Sequence, residues 1–419
     1  MSTKAQQQPA RLAFVDTLRG LAVVCMIPLH TSHGWLRPEA RTGNLWNAIQ
    51  FFGGLAAPIF LSVAGISLGL RWAADERSQR RPRYLLEVAR GLQLVVLGYA
   101  LRLQMWVLDG SGFAQRGSYL AELLLLCGYG LGYVALGRLP TQTRRALWGV
   151  AAALGLVAAG FAQVAVHQPI RLQGLMRVDV LQCIGMSLCV VVAVGATRGT
   201  AFARGDGYVL CGVIVAWLTV WTRSWVPGPL PQALAAYLGQ WAPPPGRPIV
   251  GLFPLFPWTA YTFIGTALGL SWARAAQQGK SDERVVSWVA VGALLSLATS
   301  ESMPHVFRAL AVEPWLTQPA RVAYRVGLLL IFAGIALALT RPRSALRAAL
   351  DVFGRASLWV YWVHLEFAFG AASRHVTKAL GPRDWAMGTA LLIAGMLVVA
   401  YVRVHVGQWR ARLPRAATR

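Results

Sequence analysis

Acidic residues are scarce in this chain, with 16 Asp and Glu against 40 Lys and Arg and a formal charge of +24. Charge of either sign is thin, at 13% of 419 residues, where a soluble domain carries about a quarter. No polar stretch is long enough to bury a core of its own, which excludes a separate soluble domain. The basic residues form no face or arm. They lie between apolar runs, as topology signals and lipid-headgroup contacts do, so nucleic acid is not expected as a partner. Cysteine is sparse as well: Cys25, Cys127, Cys183, Cys189 and Cys211 sit in apolar segments without CxxC or metal-ligand spacing. That excludes a disulfide framework, and no metal is expected. Lys4 and Arg11 precede the first apolar run, but no small-residue cleavage site follows it. The run reads as a retained first helix. No internal repeat stands out.

What is abundant is hydrophobicity, 56% of the chain, gathered into runs of about twenty residues. The predicted fold class is therefore all-α, a polytopic transmembrane helical bundle. Apolar segments fall near 13–33, 47–70, 86–107, 118–137, 146–166, 178–197, 208–225, 250–272, 286–303, 320–340, 352–372 and 384–404. Twelve crossings are expected, or ten if a short segment such as 208–225 or 286–303 fails to span. Alternate connections are richer in arginine, beginning with Arg71, Arg77, Arg80, Arg81 and Arg83. The positive-inside rule then places both termini in the cytoplasm. A single transmembrane domain over 13–404 is expected between a short tail at 1–12 and a basic tail at 405–419. The proline-rich connection between Ser224 and Pro248 would lie outside, as an ordinary loop or as a lid.

The first segment, RLAFVDTLRGLAVVCMIPLHTSH, is apolar enough to cross a bilayer yet carries Asp16, Arg19, His30 and His33. Ionisable groups at membrane depth cost a few kcal/mol each, so they face protein or water and commonly mark function. Arg19 and His30 are eleven residues apart, three helical turns plus about 20°, and share one face. Their axial separation is roughly 16 Å. Asp16, three residues before Arg19, is its expected ion-pair partner. Two readings stand at this point: a functional stripe, or an ion pair that fixes the helix start beside histidines bonded to neighbouring helices.

Other segments carry polar groups where lipid-facing residues could not. Pro58 sits mid-span in GGLAAPIFLSVAG, where it frees a backbone carbonyl and kinks the helix. RRPRYLLEVARG opens the third segment with Arg80, Arg81 and Arg83, followed inward by Glu87 and Arg90. Guanidinium forks suit phosphate, and equally suit anionic lipid. LMRVDVLQCIG places Arg177, Asp179 and Gln182 near the outer end of the sixth segment. Trp258, in LFPLFPWTAYTFIGTALG, is an interfacial anchor or a platform for a sugar ring. Arg321, Tyr324 and Arg325 share about one turn. SLWVYWVHLEFAFG sets His364 and Glu366 near mid-span, but two residues apart they point in different directions and a direct pair is not expected.

The motif FVDTLRGLAVVCMIPLH resembles the opening of the integral-membrane acyltransferases, namely the heparan-α-glucosaminide N-acetyltransferase-like proteins and the related bacterial acyltransferase family three. Arg19 and His30 meet the arginine–ten residues–histidine spacing of the second family. AAPIFLSVAG, RVDVLQCIG, FPWTAYTFIGTALG and WVYWVHL are similar to stretches of the first, so the likeness covers most of the chain. It implies transfer of an acyl group, usually acetyl, from cytoplasmic acyl-CoA to a hydroxyl or amine of a glycan or lipid-linked acceptor on the far side. It assigns His30 as the catalytic histidine, with Asp16 and Arg19 beside it and His33 as the next candidate. It associates Arg80, Arg83 and Arg90 with acetyl-CoA. Asp179, Gln182, Trp258, His364 and Glu366 are then the expected acceptor-side residues. One departure is plain: GNLWNAIQFFGG matches the region that holds the lysosomal enzyme's catalytic histidine, and it has no histidine.

The chemistry agrees, because a thioester donor and a hydroxyl or amine acceptor need a base that titrates near neutrality. An acetyl-histidine intermediate is the covalent variant. The expected setting is a bacterial cytoplasmic membrane, with membrane lipid as a partner and homo-oligomerisation left open. The rival from another class is a transporter or lipid flippase using Asp16, Arg19, His30, His364 and Glu366 as a proton or substrate path.

Overall fold

A computed structural model describes residues 13–80, 82–108, 118–167, 172, 174–198, 205–224, 237–239, 251–309, 318–341 and 344–412. Among these there is no strand, only single-residue bridges pairing Leu36 with Leu380 and Val178 with Gly251. The helices are α1 (Ala13–Trp35), α2 (Gly43–Gly54), α3 (Ala56–Arg77), α4 (Tyr84–Leu108), α5 (Ser118–Arg138), α6 (Thr143–His167) and α7 (Val180–Arg198). They continue as α8 (Asp206–Ser224), α9 (Leu255–Gln277), α10 (Ser281–Ala309), α11 (Gln318–Thr340), α12 (Ala345–Arg355), α13 (Ser357–Phe369) and α14 (Pro382–Arg412). The protein is a polytopic helical membrane protein. The connection between Ser224 and Pro248, apart from Ser224 and residues 237–239, lies outside the described residues, as do the tail at 1–12, Arg81 and the last seven residues.

Among the described residues, eight helical stretches are long and apolar enough to cross a membrane, fewer than the twelve segments read from hydropathy. The four others differ for separate reasons. α8 is short. α9 carries Thr259, Thr262 and Thr266, yet all three are buried, so its polar groups are hidden within protein. α10 begins with Asp282 and Glu283 and is the more polar helix. The expected span at 352–372 is interrupted at Ala356, where the chain leaves α12 and starts α13.

The chain divides into two compact units. The first holds residues 1–59, 285–290 and 329–419. Here α12 and α13 pack on α1 in different senses. Asp16 meets Gly354 while Gly20 meets Leu350, so those contacts run in opposite directions; Gly34 meets Ala368 and His30 meets His364, which advance together. A Cβ on Gly20 would overlap the Leu350 carbonyl, and one on Gly354 would overlap that of Asp16. Only glycine permits this backbone approach. Trp35 Nε1 donates to the Phe367 carbonyl at 2.9 Å, and Trp385 Nε1 donates to Thr31 Oγ1 at 3.1 Å, fixing α13 and α14 against α1.

The second unit holds residues 60–284 and 291–328. Its α3 and α9 interlock through four glycines. The Cβ direction of Gly65 meets the Thr262 carbonyl and that of Gly69 the Thr266 carbonyl; reciprocally, Gly265 meets Ser62 and Gly269 meets Ile66. Each contact is matched by another 200 residues away, and the two helices run parallel. The sequence carries the same offset, Gly65-x-x-Leu68-Gly69-Leu70-x-Trp72-Ala73 against Gly265-x-x-Leu268-Gly269-Leu270-x-Trp272-Ala273. An internal likeness therefore exists where none stood out from sequence, because a nine-residue echo is conspicuous only once the two copies touch.

Candidate active site

His30 and His364 come together in the first unit. Their Nδ1 and Nε2 atoms are 2.8 Å apart, the rings are within 4° of coplanar, and the centroids lie 5.1 Å apart. That centroid separation is about one nitrogen–nitrogen contact plus two ring radii, so the imidazoles meet edge to edge rather than face to face. His364 is fully buried, and its Nδ1 lies 2.8 Å from the Val360 carbonyl oxygen. A carbonyl can only accept, so Nδ1 of His364 carries the proton and donates it there. Neutral His364 then presents a lone pair at Nε2, which must accept from Nδ1–H of His30. The chain of donors leaves Nε2 of His30 with an available lone pair. His30 is partly exposed, with the Phe369 ring 5.6 Å away. The sequence reading expected His364 among the acceptor-side residues; the structure brings it into hydrogen-bonding distance of His30.

Arg19 sits about three turns and Asp16 about four turns away, at the other end of α1. They form the expected ion pair at 3.0 Å, and Asp16 is buried. Thr17 Oγ1 beside them donates to Asp351 Oδ1 at 2.7 Å, and Arg347 lies 3.6 Å from the same carboxylate. This end of α1 is thus sewn to α12. Asp351 was missed from sequence, where its only signal was the i, i+4 spacing to Arg347.

His33 Nε2 lies 3.1 Å from Gln50 Oε1 of α2, with the Trp46 ring 5.2 Å away. Glu366 turns from His364, as its spacing requires. Its Oε1 accepts from the Ala371 backbone N–H at 2.9 Å, closing the chain end of α13.

In the second unit, buried Glu87 accepts from Arg71 through both oxygens at 2.8 and 2.7 Å and from Arg90 at 3.0 Å. Arg80 and Arg83 are exposed. A cavity of about 280 Å³ opens between the last turns of α3 and α9, lined by Ala73, Glu76, Arg77, Leu270, Arg274 and Gln277. Asp179 is ion-paired to Arg102 and, at 3.5 Å, to Arg177. Gln182 is fully buried; its Oε1 faces the Asp179 N–H at 3.3 Å and its amide the Arg177 carbonyl at 3.5 Å. Trp258 packs on Phe253 at 4.8 Å and carries the Arg325 guanidinium 5.7 Å from its ring centroid.

Comparison with known proteins adds an independent finding. No curated protein matches the chain. The family model described as "Heparan-alpha-glucosaminide N-acetyltransferase, catalytic" matches residues 11–299, which include Asp16, Arg19 and His30 and stop short of His364. A match over more than half of the length, on a polytopic helical chain, places this protein in that family of membrane acetyltransferases.

Proposed function

We propose that the protein transfers an acetyl or similar acyl group from cytoplasmic acyl-CoA to a hydroxyl or amine of a glycan or lipid-linked acceptor at the far membrane face. The observation that carries this reading is the His30–His364–Val360 hydrogen-bond chain, which orients His30 and leaves its Nε2 as the base. The acceptor O–H or N–H gives its proton to Nε2 as its heteroatom attacks the thioester carbonyl. A carbon–oxygen or carbon–nitrogen bond forms, the carbon–sulfur bond breaks, and His30 returns the proton to the CoA thiolate. His364 shares the charge on His30 while it is doubly protonated and holds its ring in place, the orienting function that a base's partner serves in other acyl-transfer sites.

Both termini are assigned to the cytoplasm by the loop charges, with a bacterial cytoplasmic membrane as the setting. The donor's phosphates would meet the basic surface at the start of α4 and the neighbouring cavity. Arg80 and Arg83 are exposed there, Arg90 keeps outward donors beside Glu87, and Arg77 and Arg274 line the opening. Asp16 and Arg19 are assigned to hold the cytoplasmic end of α1 against α12. The test is acetyl transfer from labelled acetyl-CoA by purified protein in nanodiscs. His30→Ala should lower transfer by about 10²–10⁴-fold while retaining helicity; wild-type transfer by that variant would overturn the mechanism.

A further inference from the structure

α1 carries a second imidazole one turn beyond His30, and the two rings go to different neighbours. His30 reaches α13, while His33 reaches α2, and all three helices belong to the first unit. α2 is pressed close to α1, since a Cβ on Gly53 would overlap the Leu29 side chain. His33 Nε2 lies 3.1 Å from Gln50 Oε1, and a carboxamide oxygen can only accept. Nε2 of His33 therefore carries the proton and Nδ1 the lone pair. Arg41 fixes the backbone here, donating to the His33 carbonyl at 3.0 Å and to the Leu36 carbonyl at 2.9 Å. His33 is exposed, so a ligand can reach its ring, and the half-buried Trp46 ring lies 5.2 Å away. Nε2 of Gln50 is buried and has no hydrogen-bond partner among the described residues, a costly state for an amide donor.

We propose that His33 and Gln50 form the subsite that reads a second hydroxyl of the acceptor, beside the one that reacts at His30. Side chains three residues apart on a helix are neighbours, with a rise of about 4.5 Å between them. Adjacent hydroxyls on one sugar ring are spaced on that scale. The subsite offers an acceptor at His33 Nδ1 and a donor on the Gln50 carboxamide. A hydroxyl can serve both, whereas an ammonium only donates and a carboxylate only accepts. Trp46 adds apolar surface for the C–H face of a ring. The ligand that fits is an uncharged polyol, and His33 is a positioning residue for it, not the base. Its identity as the acceptor rests on the acyltransfer reading above; the polyol site itself does not.

The test is saturation-transfer NMR on full-length protein in phosphatidylcholine nanodiscs, without acyl-CoA, with methyl β-glucoside and its monodeoxy derivatives as probes. At least one deoxy sugar should bind about 3–10-fold more weakly than the parent, the worth of a neutral hydrogen bond. His33→Phe and Gln50→Leu should each erase that difference. His33→Asn, whose Oδ1 can stand where Nδ1 does, should keep part of it, which separates a lost contact from a lost fold. Labelled acetyl transfer to the same sugars is a second readout, in which His33→Phe should raise KM for the sugar with little change in kcat. Discrimination through His33 without any acetyl transfer would leave the polyol site standing and sink the acyltransfer reading. Equal behaviour of all the sugars with wild type, bound or unbound, or discrimination unchanged in the Phe and Leu variants, would overturn the subsite whatever transfer is observed.

Discussion

α1 and α7 begin alike, VDTLRG at 15–20 and VDVLQC at 178–183, and each opens an apolar helix with a buried or half-buried aspartate. Their polar groups end differently. On α7, Asp179 is held by Arg102 and Arg177, and Gln182 spends its carboxamide on the backbone around it. Those contacts hold the start of α7 in place. On α1, Asp16 and Arg19 likewise pair with each other, while His30 further along bonds His364 through one nitrogen. A costly polar group in a membrane helix points to chemistry when its neighbours orient it without exhausting its valences. When every donor and acceptor is matched at home, the same residue types serve packing.

The contrast can be broken most sharply at His30. His30→Ala should lower acyl transfer by about 10²–10⁴-fold, the range of general base catalysis, in a labelled acetyl-CoA assay. Gln182→Ala in the corresponding part of α7 should instead act on stability, through a buried group's lost hydrogen bonds, and leave the pH profile of transfer unmoved.

Packing comes next in size. Gly354→Val drives a side chain into the Asp16 carbonyl, and should cost about 1–3 kcal/mol, read as a fall in the thermal unfolding midpoint. A midpoint equal to wild type would mean that α12 does not approach α1 this closely.

His364→Ala should be milder than His30→Ala, about 10–100-fold in kcat, because it leaves the base present but poorly aimed. Its signature is a displaced pH profile with an unchanged KM for the acceptor. His364→Gln, which can still accept from His30, should recover part of the loss. Equal effects of His30→Ala and His364→Ala on a single-turnover step would make the two histidines equal participants rather than base and orienter.

The smallest effect is expected at Arg90. Its partner Glu87 keeps both contacts with Arg71, and Arg90 is 48% exposed, so Arg90→Gln should cost under about 1 kcal/mol. If the start of α4 contacts the CoA phosphates, the same variant raises KM for acyl-CoA with little change in kcat.

The sequence alone determined the solvent: 13% charge and repeated apolar runs leave no fold but a helical membrane bundle. It also determined that Asp16 pairs with Arg19 and that His364 and Glu366 diverge, since helical periodicity fixes relations within a few turns. Which residues answer one another from distant segments was beyond it. His30 meets His364 across 334 positions, Thr17 finds Asp351, and α3 finds its echo in α9. The break at Ala356 was equally hidden, because hydropathy sums composition and is blind to direction. Periodicity is a property of one helix, and partners are a property of packing. Only the tertiary structure decided which nitrogen of His30 is tied to His364 and which is not.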